Sequence, residues 1–443
     1  MLGISGTATT LLLLILGATV RADEPTTEEQ MAANLGMSKF LVHFSRFACP
    51  ESPSTGDKAE CVAYGYQPVT DAFAKNEFPP IWVPVAGVSN DTEGYQKFLS
   101  INGSVPNIAP KGVNGVPTPN LAYDAAKDPD CWWTNTQCVT PKHDGVKADI
   151  ADVPEPKTLG YGFDDGPYCG HNEFYNFLTS KGQKATMFYI GSNVVDGPLQ
   201  AQRAVKDGHE LCVHTWAHPS MTALTNEQVF GELWYTIKAI KLVTGVTPTC
   251  WRPPRGDADD RVRFIAQSLG LDTIMWKYDS FDWEQGTNGV TPADVQNNYN
   301  KLINDAKSGV LNSRGAILLT HELSNYTMQT AVDNYPKLVE AFDYIVPVGV
   351  AYNKTNPYAE TSVTQPSFAQ FAAAHGGPPA PSGSASSSPK SASGSPPAPS
   401  ASGVKLDNSN STKANNHSGA VTVRLQLPAT ILAFVGLAMT FAV

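Results

Sequence analysis

The chain has 443 residues, 31 Lys and Arg against 41 Asp and Glu, and a formal charge of −10. That acidic balance, with no basic cluster, argues against a nucleic-acid-binding protein. The length accommodates one large domain or two ordinary ones.

In chain order, the first signal is the apolar run TTLLLLILGA at residues 9–18, followed by Val20 and Ala22 at the −3 and −1 positions of a cleavage site. It is too short to span a bilayer and reads as a secretory signal peptide over residues 1–22. Residues 23–156 form a turn-rich extension without clear periodicity or a motif. From 157 to 355 strand and helix patterns alternate. TLGYGF (158–163), KATMFYI (184–190), HELCVHT (209–215) and AILLTH (316–321) are short, apolar and β-rich. NEQVFGELWYTIKAIKLVTG (226–245) has apolar residues at helical spacing and a closing glycine. Repeated β–α units imply parallel strands, in an open sheet or a barrel.

Residues 356–417 contain a Gly/Pro/Ala/Ser tract, 376–403, whose side chains are too small to offset the entropy of ordering. It reads as a disordered stalk. The chain ends in the apolar tail PATILAFVGLAMTFAV, preceded by a polar spacer and by Ser418, Gly419 and Ala420. Small residues, spacer and tail together predict a GPI-anchor signal over 418–443, attached at Ser418 or at Asn416. The expected location is therefore outside the cell, anchored to the plasma membrane and wall, with no protein partner indicated. Sequons at Asn90, Asn102, Asn325, Asn353, Asn410 and Asn416 suit that setting.

Secretion makes the seven cysteines interpretable as largely paired. Cys49–Cys61 and Cys131–Cys138 read as local bridges. Cys169 and Cys250 are candidates for tying two loops together, and Cys212, in an apolar run, is expected as a buried free thiol.

Five short segments carry chemistry, most of them at strand ends, where α/β folds place it. FDDGP supplies the adjacent carboxylates Asp164 and Asp165. HTWAH places His214 and His218 four residues apart, a spacing that suits two ligands of one divalent ion. WRPPRGD holds Arg252 and Arg255 around a stiff Pro-Pro pair. DSFDW adds Asp282 and Trp283, and LLTH ends a strand with Leu319 and His321. Taken singly, each has an ordinary reading: a solvated turn, two surface histidines, a solvated arginine, a packed strand-end histidine.

In that order the five segments resemble the motif series of the polysaccharide deacetylases, carbohydrate esterase family 4, and most closely that of fungal chitin deacetylases. The resemblance covers residues 157–350 and implies a distorted (β/α) barrel, with the irregular extension preceding it. It implies Asp165, His214 and His218 as ligands of one divalent metal, usually Zn2+ with Co2+ as a substitute. Asp164 would be the general base, held by Arg252. His321 would protonate the leaving amine, tuned by Asp282. Trp283 and Leu319 would wall the acetyl pocket, and the backbone N–H of Arg255 would stabilise the oxyanion. The implied reaction is hydrolysis of N-acetyl groups in chitin or N-acetylglucosamine oligomers. A deacetylase or esterase of another acetylated polysaccharide, or a silent wall mannoprotein, are the alternatives. Two positions depart from the family pattern: Gly162 stands where Thr is common, and Arg255 where an aromatic residue is.

Overall fold

The computed structural model describes residues 64–119 and 122–375, together with Cys61 and a two-residue strand at Ser38–Lys39. The signal segment, Cys49, the tract from 376 onward, Asn410, Asn416 and Ser418 lie outside the described residues.

Nine short parallel strands make the centre: β1 (Thr158–Gly160), β2 (Gly162–Gly166), β3 (Thr186–Tyr189), β4 (Glu210–Val213), β5 (Cys250–Trp251), β6 (Asp272–Thr273), β7 (Tyr278–Asp279), β8 (Ala316–Leu319) and β9 (Tyr344–Val346). They form a five-stranded sheet, β6-β5-β4-β3-β2, and a four-stranded one, β7-β8-β1-β9. β1 and β2 are almost one strand that changes partners at Tyr161, and an isolated parallel bridge, Asp164 to His321, joins the two sheets. Among the described residues no ladder connects β6 to β7, so strand pairing does not close a barrel. All four residues of β3, β4 and β8 are buried, as continuous apolar strands covered on both faces must be.

Helices wrap the sheets. Asn226–Thr244 starts on a Thr225–Gln228 capping box and stops at Gly245, whose φ of +79° is the left-handed C-cap that glycine adopts without strain. This is the helix the sequence pattern predicts.

Residues 64–156 are built into the same core. Val69, Phe78, Val85, Val88, Phe98 and Trp133 belong to the cluster that contains Leu159, Phe163 and Trp216. Buried polar contacts lock the join. Lys111 Nζ lies 2.6 Å from Asp130 and 2.7 Å from Asp259, and Arg263 pairs with Asp149 at 2.8 Å. Residues 356–375, grouped by sequence with the stalk, pack on the fold as well. Tyr358 is buried, its hydroxyl accepting from Leu211 N–H at 3.0 Å, and Glu360 holds Lys241 and Thr247.

The disulfides correct the expected pattern. Cys131–Cys138 is present. Cys61, however, pairs with Cys169 across 108 residues, and Cys212 is not a free thiol but is bonded to Cys250. β3 and β5 flank β4, and Cys212 on β4 faces Cys250 on the adjacent β5, a neighbour relation that spacing along the chain does not reveal.

Candidate active site

The five segments converge on one face of the sheets, at the strand C-termini, in an open cleft of about 1280 Å³. Asp164, Asp165, His214, His218, Arg255, Trp283, Leu319 and His321 all line it. Arg252 and Asp282 lie behind this lining, both buried.

The paired carboxylates differ from simple strand alternation. β2 shifts register between Asp164 and Gly166, and Asp165 takes a left-handed φ of +72°. An irregularity of this kind re-aims side chains, so both carboxylates reach the cleft rather than opposite faces. Asp164 accepts a 2.6 Å bond from Arg252 Nη1 through Oδ1. Its Oδ2 is 3.8 Å from His214 Nε2. Arg252 is fully buried and rests over the Phe188 ring at 3.9 Å, so its head group has one orientation.

Asp165 Oδ1 lies 3.3 Å from Nε2 of both His214 and His218. His214 Nδ1–H donates to the Arg252 carbonyl at 2.8 Å, which turns the Nε2 lone pair toward Asp165. Burial draws the His218 pKa down to about 3 despite the nearby Asp165, which keeps its ring neutral and able to ligate. Burial opposes ionisation of Asp165, but His218, His214 and His321 hold its carboxyl well below the usual range. Asp165 Oδ1, buried without a hydrogen-bond partner, lies 3.3 Å from each imidazole Nε2, a spacing that fits a divalent cation, since bonds of 2.0–2.1 Å imply tetrahedral edges of about 3.4 Å.

Across the cleft, His321 Nδ1–H donates to Asp282 Oδ1 at 2.6 Å, and its backbone N–H donates to Oδ2 at 3.1 Å. Burial disfavours the imidazolium, but Asp282, with Asp165 and Asp164 beyond it, raises the His321 pKa to about 9. Asp279, also in the cleft, is pushed up to about 6 by burial.

Arg255 sits at the rim with φ +58° and donates from Nη1 to the His218 carbonyl at 3.0 Å. Trp283 and Phe281 stand exposed and stacked, ring centres 6.3 Å apart. Asn90, Asn102 and Asn353 are exposed, and Asn325 is half-buried.

Residues lining the cleft and buried behind it escaped the sequence reading. Trp133, from the extension, packs on Trp276 at 4.6 Å and shares the cleft wall. Its cue was the CWW triplet inside a short cysteine pair. Glu322, directly after His321, binds His171 at 2.6 Å, Tyr175 at 2.7 Å and the Tyr168 N–H at 2.9 Å, all buried or partly so.

A parallel α/β fold with a held carboxylate and a held histidine facing each other over a strand-end cleft has the arrangement of an enzyme that moves protons on two sides of a reacting group. Residues 151–274 match the family model described as polysaccharide deacetylase. Chitin deacetylase 2 of Cryptococcus neoformans var. grubii serotype A is 48% identical over 373 residues, covering 83% of this chain and 81% of that protein. Chitin deacetylase 2 of C. neoformans var. neoformans serotype D is 52% identical over 323 residues, with 72% and 70% covered. Chitin deacetylase of Amylomyces rouxii is 43% identical over 318 residues, with 70% and 74% covered. The chain belongs to the polysaccharide deacetylase family and is a hydrolase acting on carbon–nitrogen bonds.

Proposed function

We propose that the protein is a metal-dependent chitin deacetylase that hydrolyses the N-acetyl groups of N-acetylglucosamine residues to give chitosan and acetate. The observation that carries this reading is the meeting, in one cleft, of the Asp165–His214–His218 cluster with the Asp164–Arg252 and His321–Asp282 pairs. The names of the 43–52% identical relatives support chitin as the substrate.

Asp165, His214 and His218 would hold the cation, with Zn2+ favoured by two imidazoles and a carboxylate and Co2+ as a substitute. Such an ion, when bound, acidifies water and polarises a carbonyl oxygen. The protein's own groups supply the rest. Asp164 Oδ2 takes a proton from the attacking water while Arg252 keeps Oδ1 and fixes the carboxylate plane. His321, protonated at neutral pH, gives its Nε2 proton to the departing amine, and Asp282 keeps Nδ1–H in place throughout. Water's oxygen thus ends in acetate and the C–N bond breaks as the nitrogen is protonated. Arg255, Trp283 and Leu319 shape the ground around the acetyl group, with the Arg255 N–H as oxyanion donor.

Action at the outer cell surface, through a GPI anchor and stalk, is supported by the two apolar ends and the Gly/Pro/Ala/Ser tract. The test is acetate release from N-acetylglucosamine oligomers by metal-stripped and zinc-restored protein, with acetylated xylan beside it. Zinc-restored release from the chitin oligomers is expected. Release from xylan alone would replace the substrate, and release unaffected by stripping would remove the metal from the mechanism.

A further inference from the structure

We propose that Glu232, on helix Asn226–Thr244, is a positioning residue for the cation site, holding loop 214–218 in the conformation that turns both histidines to Asp165. This rests on the reading of Asp165, His214 and His218 as metal ligands.

The loop does not hold itself. Thr215 and His218 both have left-handed backbones, φ +68° and +58°. Residues other than glycine persist there only when their surroundings impose it. The surroundings here converge on one side chain. Glu232 is fully buried, and its Oε2 accepts from the N–H groups of Trp216 at 2.8 Å and Ala217 at 2.9 Å, between the two histidines. Its Oε1 accepts from Val85 N–H of the extension at 2.8 Å. One carboxylate therefore joins a helix, the histidine loop and the extension.

The rest of the loop is held by the extension and by a second helix, Gly191–Asp196. Trp216 Nε1 donates to the Pro80 carbonyl at 3.0 Å, Phe78 stacks on its ring at 5.6 Å, and Ser192 Oγ donates to its carbonyl at 2.6 Å. A carboxylate is required at 232 because three N–H donors approach from two sides. An amide offers one acceptor oxygen, and its NH2 would turn a donor toward whichever of these N–H groups lay on the other side. Glu232→Gln must therefore lose the Val85 contact or both loop contacts.

Outer-layer partners of metal ligands commonly matter 10- to 100-fold in metal affinity. The experiment is zinc affinity by chelator competition, on folded protein, for wild type, Glu232→Gln, Val88→Ala and His214→Ala. Val88 is buried against the same helix at Gly231, and its N–H donates to Glu227 at 2.9 Å, so it reports generic loosening of that contact. Glu232→Gln is expected to weaken zinc about 10-fold and to speed amide exchange at Trp216 and Ala217 in metal-free protein, while Val88→Ala keeps wild-type affinity. Equal affinities for wild type and Glu232→Gln overturn the proposal, as does an equal loss in Val88→Ala. Zinc affinity unchanged in His214→Ala overturns the metal site itself, which distinguishes that failure from the other. If Glu232→Gln does not fold, Glu232→Asp, with both oxygens on a shorter stem, is read by the same criteria.

Discussion

Asp164 and Asp165 share a backbone but not an environment, and the roles proposed for them rest on that. Arg252 leaves Asp164 one free oxygen, whereas Asp165 faces two imidazoles. Asp164→Asn removes the proton acceptor and leaves the cluster intact. We expect kcat to fall at least about 100-fold, the usual contribution of a positioned base, with zinc affinity unchanged by chelator titration. His321 has its pKa raised to about 9, so with His321 as the proposed acid kcat is expected to decline as pH climbs through that value. The stability linkage has the same direction. A folded pKa above the unfolded 6.5 gives a contribution that is complete below about pH 6.5 and lost as pH rises to about 9. Asp282→Asn withdraws the charge responsible, and the alkaline limb of the kcat profile should move down by about one pH unit or more. A limb that stays put would assign it to another group.

At the scale of elements, the Arg255 turn depends on the disulfide-closed segment Cys131–Cys138. Trp133 N–H donates to the Ala258 carbonyl at 3.0 Å, while Trp132 Nε1 and Thr134 Oγ1 donate to Asp257 at 2.8 and 2.7 Å. Gly256 has φ +67°, and a Cβ there would sit 2.2 Å from the Trp133 ring. Gly256→Ala therefore meets both backbone strain and an aromatic wall. It should lower stability by about 1–3 kcal/mol and raise KM for chitin oligomers through displacement of the Arg255 rim, as thermal melting and steady-state kinetics would show. The buried Cys212–Cys250 bridge ties β4 and β5 two residues before His214 and Arg252. Replacing both cysteines by alanine should cost about 2–5 kcal/mol in chemical denaturation.

For the whole molecule, the family match at 151–274 understates the unit that folds. A chain beginning at residue 151 would leave Asp259 and Arg263 buried without Lys111 and Asp149. Among the described residues, Asp259 would keep only Arg261 at 4.0 Å as an ion-pair partner and Arg263 only Asp260 at 3.7 Å. Breaking a buried pair costs up to about 3–5 kcal/mol against a total stability of about 5–15 kcal/mol. Such a chain should be recovered unfolded or aggregated, as far-UV circular dichroism and gel filtration would reveal. A soluble, cooperatively melting product would show the extension to be dispensable.

The sequence by itself marked the five segments that meet in the cleft, because an Asp pair, a His pair and a strand-end His are legible as residue types at short spacing, and their order carries the family resemblance. It also determined the parallel α/β class, since strand and helix periodicities are local properties of the chain. Tertiary structure alone decided the rest. Which cysteines pair depends on strand neighbours, so Cys212 found Cys250 and Cys61 found Cys169. The register shift at Asp165 depends on β2 meeting β3 and β8 together, and it brings two adjacent carboxylates to one cleft. Glu232 has no local signal of function, being a charge on an amphipathic helix, and Trp133 has only the CWW triplet in a turn-rich stretch. Their roles arise from contacts across more than 100 residues, as when Glu232 meets Val85 and Trp133 meets Ala258. Such contacts are set by how a helix and an irregular segment pack on a sheet, and that packing depends on the whole chain at once.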